Sequence, residues 1–197
     1  MLYRLMRHAG FVALVCGSGA VYAHTGHGTS GIVDGLAHPF GLDHLLAMVA
    51  VGVWSVSALP AHKALWGPVT FMSALMASAV LGASGFSLPY LETLIAASVV
   101  LFGAMLAISR VQLPPRIGLF LIAVAASLHG LAHGAESPET GFVTYAIGFL
   151  LTTASLHLGG VMLGLGVKKY LAQRASITVQ LLGVGCGGAG IFLLSQI

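Results

Sequence analysis

Four side chains that could bind a metal ion stand close together near the start of an apolar segment: His38, Asp43, His44 and Met48. His44 and Met48 are four residues apart, so a helix places the imidazole and the thioether on one face. Pro39 suits the first turn of that helix and disfavours the α conformation for His38 before it. Nitrogen, carboxylate and thioether donors together suit Ni²⁺, Co²⁺, copper or Zn²⁺ better than Mg²⁺ or Ca²⁺. The segment therefore predicts a transition-metal site; a structural Asp–His pair that ties helices together is the alternative.

A second group, His129, His133 and Glu136, lies in another apolar segment. Offsets of four and seven residues place the three side chains on one helical stripe, within about 40° of one another. Two histidines four residues apart can hold one metal ion, and a carboxylate one turn further can deliver the ion or orient an imidazole. We expect a metal site here too; the alternative is a stripe that only packs through Gly130 and Gly134.

Glu92 and His157 are ionisable residues in two further apolar segments, where such a residue is costly and suggests function. We expect both to bind the metal ion along the same pathway. The alternative for Glu92 is an interfacial acid whose carboxylate reaches water, and for His157 it is a hydrogen bond between helices. His24 and His27 precede the apolar segments and could scavenge metal ions, or belong to a tail with no such role.

The amino-acid composition indicates the class of fold that positions these residues. Charged residues make up 7% of the 197 residues, hydrophobic residues make up 57%, and the mean hydropathy is +0.98, whereas a soluble domain is about 25% charged. This excludes a soluble enzyme, a nucleic-acid-binding module and a disordered tail. Long uncharged runs, rather than short alternating segments, indicate an all-α, polytopic protein of the lipid bilayer.

The first 23 residues read as a signal peptide. Arginines precede an apolar stretch over 9–20 that is too short to span a bilayer, and the small residues Val21 and Ala23 form a cleavage site. We expect a mature chain that begins at His24; an uncleaved first span is the alternative. The remainder, 24–197, is predicted to be one compact transmembrane domain.

Six apolar segments in this domain are long enough to span a membrane: about 32–59, 64–83, 89–109, 116–134, 141–166 and 176–196. All the basic residues of the mature chain fall in the loops after the first, third and fifth spans, while the loop after the fourth carries Glu136 and Glu139. The positive-inside rule therefore places the mature N-terminus outside. G-x-x-x-G pairs start at Gly31, Gly130, Gly160 and Gly183, and we interpret all four as packing contacts between helices.

This orientation arranges the ionisable side chains by depth. The predicted order is Glu92, His133 and Glu136 at the outer face, then His129, Asp43 and His44, and finally His157 near or below the midplane. A graded line of this kind is typical of a permeation path rather than of a static structural site.

The motifs that carry these residues resemble those of the HupE/UreJ family of nickel/cobalt permeases. The likeness rests on His38-Pro39 with Gly41-Leu42-Asp43-His44-Leu45-Leu46-Ala47-Met48 and Val51-Gly52, and on His129-Gly130, Ala132-His133-Gly134 and Glu136. It extends over the mature chain through Glu92-Thr93-Leu94-Ile95-Ala96 and Leu156-His157. It implies a bacterial inner-membrane secondary transporter that imports Ni²⁺ or Co²⁺. In that membrane, the outside N-terminus expected from the basic loops is periplasmic. The likeness also implies no permanent cofactor, and a link to a nickel enzyme such as hydrogenase or urease.

One spacing departs from the family. Four residues separate His38 from the Asp43-His44 pair, where the family usually has five. In a regular helix this turns His38 about 120° away from His44. His38 then joins the site only if the chain bends at Pro39.

Two other classes of protein compete with a metal permease. An intramembrane zinc hydrolase would need an open zinc position and a base or nucleophile; Ser127 and Ser155 lie near histidines, but no separate base is evident. A membrane metal sensor would need an output domain. The sequence favours the permease, and it leaves open the physiological metal, the driving force and whether the chain forms a homo-oligomer.

Overall fold

The structure is a computed structural model that describes residues 31–111, 114–136 and 141–197. Every regular element in these ranges is helical, which confirms the predicted all-α class. The helices are α1 (Ile32–Ala37), α2 (Leu42–Ala58), α3 (Trp66–Ala83), α4 (Leu91–Ala107), α5 (Pro115–Ala135), α6 (Phe142–Tyr170) and α7 (Ala175–Leu194). Short 3₁₀ helices cover His38–Phe40, Ala61–Lys63 and Ala172–Arg174. The predicted signal peptide over 1–23 and the histidines at 24 and 27 lie outside the described residues.

Four segments of the described chain are long and apolar enough to cross a membrane: Ala61–Ala83, Pro115–Ala135, Phe142–Tyr170 and Ala172–Leu194. The pair Ile32–Phe40 and Leu42–Ala58 brings the number to five if it counts as one span. The 17 residues of α4 are about 25 Å long, slightly less than a hydrocarbon core of about 30 Å. The structure thus supports a multi-pass helical membrane protein, while six spans stay a prediction.

The first predicted span, 32–59, is not one regular helix. It is bent by 74° between α1 and α2. The expectation that His38 leaves the α conformation is wrong: His38 has φ −54° and ψ −45°, because its N–H still donates to the Asp34 carbonyl and closes α1. The chain instead turns at Gly41, which has φ −51° and ψ 139°, after a 3₁₀ turn that contains Pro39. Proline cannot donate a backbone hydrogen bond, so the helix ends there and restarts at Leu42.

Glycine lets the helices touch through their backbones. A Cβ atom on Gly160 of α6 would lie 2.4 Å from the Val49 carbonyl oxygen of α2, and one on Gly134 of α5 would lie 2.0 Å from the Ala79 carbonyl oxygen of α3. Each of the four predicted G-x-x-x-G pairs contributes at least one glycine to such a contact, as expected for helices that associate in lipid.

The contacts also fix the relative directions of the helices. Residue numbers rise together along α2 and α6, and along α3 and α5, so each of these pairs is parallel. They run in opposite directions along α4 and α7, where Gly103 meets Gly183 and Val100 meets Gly190. These directions are the ones expected if consecutive segments cross a bilayer alternately. The central element is α2, which packs against α3, α4, α6 and α7 and holds the site at its first turns.

Candidate metal site

Three histidines from separate elements meet beside the bend. His38 comes from the 3₁₀ turn, His44 from the first turn of α2 and His133 from the last turn of α5; one ring nitrogen of each lies within 4.8 Å of the other two. The bend at Gly41 carries His38 back to His44, with ring centroids 5.8 Å apart, although a regular helix would have turned it away. We call these three residues the outer cluster.

Two imidazole nitrogens of the outer cluster are in close contact. His44 Nε2 lies 2.6 Å from His133 Nε2, and both side chains are buried. Two nitrogen lone pairs this close repel each other unless a proton lies between them. A metal ion bound to both nitrogens could take the place of that proton.

Asp43 orients the His44 side chain through hydrogen bonds. The Asp43 Oδ1 atom accepts a hydrogen bond from His44 Nδ1 at 2.7 Å and another from the His44 backbone N–H at 2.9 Å. Because a carboxylate only accepts, the proton of His44 lies on Nδ1, and Nε2 is left to face His133. Metal-binding histidines are typically oriented in this way. The sequence suggested that Asp43 binds the ion directly, whereas this geometry suits an orienting carboxylate.

Two more carboxylates line the same small cavity. Its lining combines the outer cluster and Asp43 with Glu92, Glu136, Ile95 and Ala132. Glu92 lies in the first turn of α4, and Glu136 follows the last residue of α5. These two acids, which the sequence placed together at the outer face, thus come together beside the histidines.

His129 lies directly beneath the outer cluster and is fully buried. Its ring is edge-on to His44, with centroids 4.9 Å apart. Ser98 Oγ donates to the Ile95 carbonyl at 2.7 Å and so accepts from His129 Nε2 at 3.0 Å. Among the described residues, His129 Nδ1 has no hydrogen-bond partner. The sequence reading missed Ser98, because serines in apolar helices commonly bond only their own backbone.

Phe71 of α3 lies beside both His129 and His157. The Phe71 ring is 5.7 Å from the His129 ring and 4.8 Å from the His157 ring. His157 Nδ1 donates to the Thr153 carbonyl within α6 at 2.8 Å, so this bond is not the interhelical one considered as an alternative. Neither His157 nor Met48, which is fully buried in α2, belongs to the outer cluster.

Aromatic side chains of α6 form one wall of the site. Tyr145 and Phe149 both lie near the His38 ring, at 5.9 and 6.0 Å, and Phe149 lies 4.4 Å from the His133 ring. No sequence pattern singled out these two residues, since aromatic residues are ordinary in apolar helices. Both side chains are buried, so they give the histidines apolar neighbours on this side.

The fold and the site define a multi-pass helical membrane protein in which two buried histidines and one half-buried histidine meet beside carboxylates. This chain belongs to the HupE/UreJ family: the family model described as HupE / UreJ protein matches residues 12–193. Protein HupE from Rhizobium leguminosarum bv. viciae is 36% identical over 176 residues, which cover 88% of this chain and 89% of that protein. No solved structure matches this chain at a significant level. Membership confirms the resemblance and supports a role related to nickel or cobalt transport.

Proposed function

We propose that this protein is a permease that imports Ni²⁺ or Co²⁺ across the bacterial inner membrane. The observation that carries the proposal is the meeting of three imidazoles, from the 3₁₀ turn, α2 and α5, within 4.8 Å. The ion binds first to the outer cluster of His38, His44 and His133. Imidazole suits nickel and cobalt, whereas magnesium and calcium prefer oxygen ligands.

The carboxylates explain how a doubly charged ion could enter an apolar bundle. An ion without counter-charge is costly in such surroundings. Glu92 and Glu136 line the cavity of the outer cluster and attract the ion. The Asp43 carboxylate supplies negative charge at the Nδ1 side of the His44 ring. It thereby keeps the Nε2 lone pair directed at the ion. In this proposal the outer cluster fixes the choice of metal, and the acids favour its entry.

The family also indicates the cellular role of the transported ion. The family is one of transporters and accessory proteins linked to nickel enzymes. The imported ion would supply an enzyme such as hydrogenase or urease, and the mature N-terminus would face the periplasm. Zinc hydrolysis, the competing function, gains no support from family membership, since it requires a substrate to be cleaved at the metal rather than an ion to be moved.

Uptake into vesicles tests the function. The purified full chain, reconstituted into lipid vesicles, should accumulate radioactive nickel above the level of protein-free vesicles. Excess cobalt should compete with this uptake and excess magnesium should not. Measurements with and without a pH gradient would identify the driving force. Uptake equal to that of empty vesicles under all of these conditions would contradict the proposal.

A further inference from the structure

Some buried polar atoms below the outer cluster have no hydrogen-bond partner among the described residues. They include His157 Nε2, Thr153 Oγ1 and Ser55 Oγ, and all three side chains are fully buried. A buried polar atom without a partner is costly, so it usually marks a function or an absent partner. Because α6 rises about 1.5 Å per residue, His157 lies about 12 Å further along α6 than Phe149, which borders the outer cluster.

The orientation of His157 is fixed by its own helix. Its Nδ1 faces the Thr153 carbonyl, and a carbonyl only accepts, so Nδ1 carries the proton. In the neutral imidazole, Nε2 then has a free lone pair inside the bundle. This orientation leaves Nε2 without a hydrogen bond among the described residues, which is costly for a residue that serves only in packing.

The hydroxyl of Thr153 behaves differently from comparable hydroxyls in the bundle. Ser57, Ser127 and Ser155 each donate to the carbonyl four residues before them. The Thr153 hydroxyl makes no such bond. This hydroxyl is therefore a second neutral donor atom without a hydrogen bond, one helical turn before His157 in α6.

The neighbouring face of α2 adds a third donor. Gly52 of α2 is in backbone contact with His157 and Val161 of α6. Met48 precedes Gly52 by one helical turn on the same face and is fully buried. Its thioether is therefore placed at the edge of the α2 face that packs on α6, about 40° around the helix axis from Gly52. Imidazole, hydroxyl and thioether are all neutral, and nitrogen with sulfur favours nickel and cobalt over magnesium.

We infer that His157, with Thr153 and Met48, forms an inner station, a second metal-binding site separate from the outer cluster. The inference rests on the proposed transport function. The inner station receives the ion from the outer cluster past His129 and Phe71. The donors of the inner station carry no charge, whereas the outer cluster shares its cavity with three acids. The inner station therefore binds the ion more weakly and releases it more readily. Two stations divide one long apolar crossing into two shorter steps.

Counting bound ions tests the inner station. In equilibrium dialysis of the purified full chain against Ni²⁺, we expect two ions per chain, one of them weaker. His157→Gln should lose the weaker ion and keep the tighter one. Thr153→Val, which has the same shape and keeps the carbonyl that orients His157, should weaken the second ion while the protein stays folded. A wild-type count of one, or a second ion that both variants bind normally, would overturn the inference.

Transport supplies a second readout. In reconstituted vesicles His157→Gln should lower the uptake rate at saturating nickel by about tenfold or more, with little change in the half-saturating concentration. His62→Gln is the matched control, because His62 is exposed and distant from the path. A wild-type rate for His157→Gln would contradict the inner station. If the wild-type protein transports nothing, the proposed function fails, but the ion count still decides whether the inner station exists.

Discussion

At the scale of single residues, the site depends on which nitrogen of each histidine is available. Asp43 fixes the proton of His44 on Nδ1, and Ser98 occupies Nε2 of His129. The sequence alone identified both histidines from their spacing within apolar segments. It could not identify these supporting hydrogen bonds, because Asp43 looked like a ligand and Ser98 looked like any helical serine. Side-chain orientation depends on how separate helices pack together. The spacing of residues along one helix carries no information about that packing.

Replacing Asp43 tests its orienting role. Asp43→Asn removes the charge that holds the His44 proton on Nδ1, so the imidazole loses both its orientation and part of its basicity. We expect the affinity for nickel to fall by about 10- to 100-fold, and transport at low nickel to be lost. Equilibrium dialysis and uptake, with membrane abundance checked by blotting, measure both effects. Wild-type affinity in Asp43→Asn would show that the pair is only structural.

Acidification should weaken uptake. A protonated imidazole has no lone pair for a metal ion, so protons and metal compete for the same nitrogens. Histidine ordinarily gains its proton at about pH 6.5. The affinity for nickel is therefore expected to be highest above this value and to fall as the outside pH drops from about 7.5 to about 5.5. Uptake measured at low nickel across this range, with the inside pH clamped, checks the sign; stronger binding at acid pH would contradict a histidine site.

At the scale of the helices, the bend between α1 and α2 decides the composition of the outer cluster. The sequence contained the relevant signals, Pro39 and Gly41, but a continuous apolar run over 32–59 favoured one straight span. A proline in a helix can kink it, break it or be tolerated, and local pattern does not distinguish these outcomes. The bend brings His38 within range of His133, which belongs to a helix almost a hundred residues later.

Adjacent glycines in α6 provide a matched test of the contact with α2. A Cβ atom on Gly160 would meet the Val49 backbone at 2.4 Å, whereas one on Gly159 would meet nothing within 4 Å. Gly160→Ala should lower the free energy of unfolding by about 1–3 kcal/mol. Gly159→Ala should leave it unchanged or raise it by up to about 1 kcal/mol. Thermal unfolding of both variants in detergent compares them directly, and equal unfolding temperatures would refute the close contact.

A lysine joins the last turns of α2 and α6. Pro60 has no N–H, so the Val56 carbonyl of α2 lacks the donor that a helix would provide four residues later. The Lys168 ammonium of α6 donates to this carbonyl instead. Lys168→Met should lower the free energy of unfolding by about 1–3 kcal/mol, and Lys168→Arg, which keeps a donor, should lower it less. A melting temperature of Lys168→Met equal to that of the wild type would show that the bond contributes nothing.

At the scale of the whole molecule, the helices assemble a line of polar groups through an apolar bundle. Glu92 and Glu136 border the outer cluster, His129 lies beneath it, and Phe71 contacts both His129 and His157. The sequence predicted the order of most of these residues, because alternating spans determine which helix ends share a face. It did not predict that Phe71 contacts both histidines, since a phenylalanine in an apolar span carries no signal of its own.

Nickel uptake by His133→Gln tests most directly whether the outer cluster binds the ion that the protein carries. Glutamine keeps a hydrogen-bonding side chain but removes the imidazole nitrogen that lies 2.6 Å from His44 Nε2. Vesicles with equal amounts of wild type, His133→Gln and the exposed-histidine control His62→Gln should be compared at the same nickel concentration. We predict that His133→Gln loses most of the uptake while His62→Gln retains it. Uptake by His133→Gln at the wild-type rate would contradict the account and leave the three histidines as packing residues.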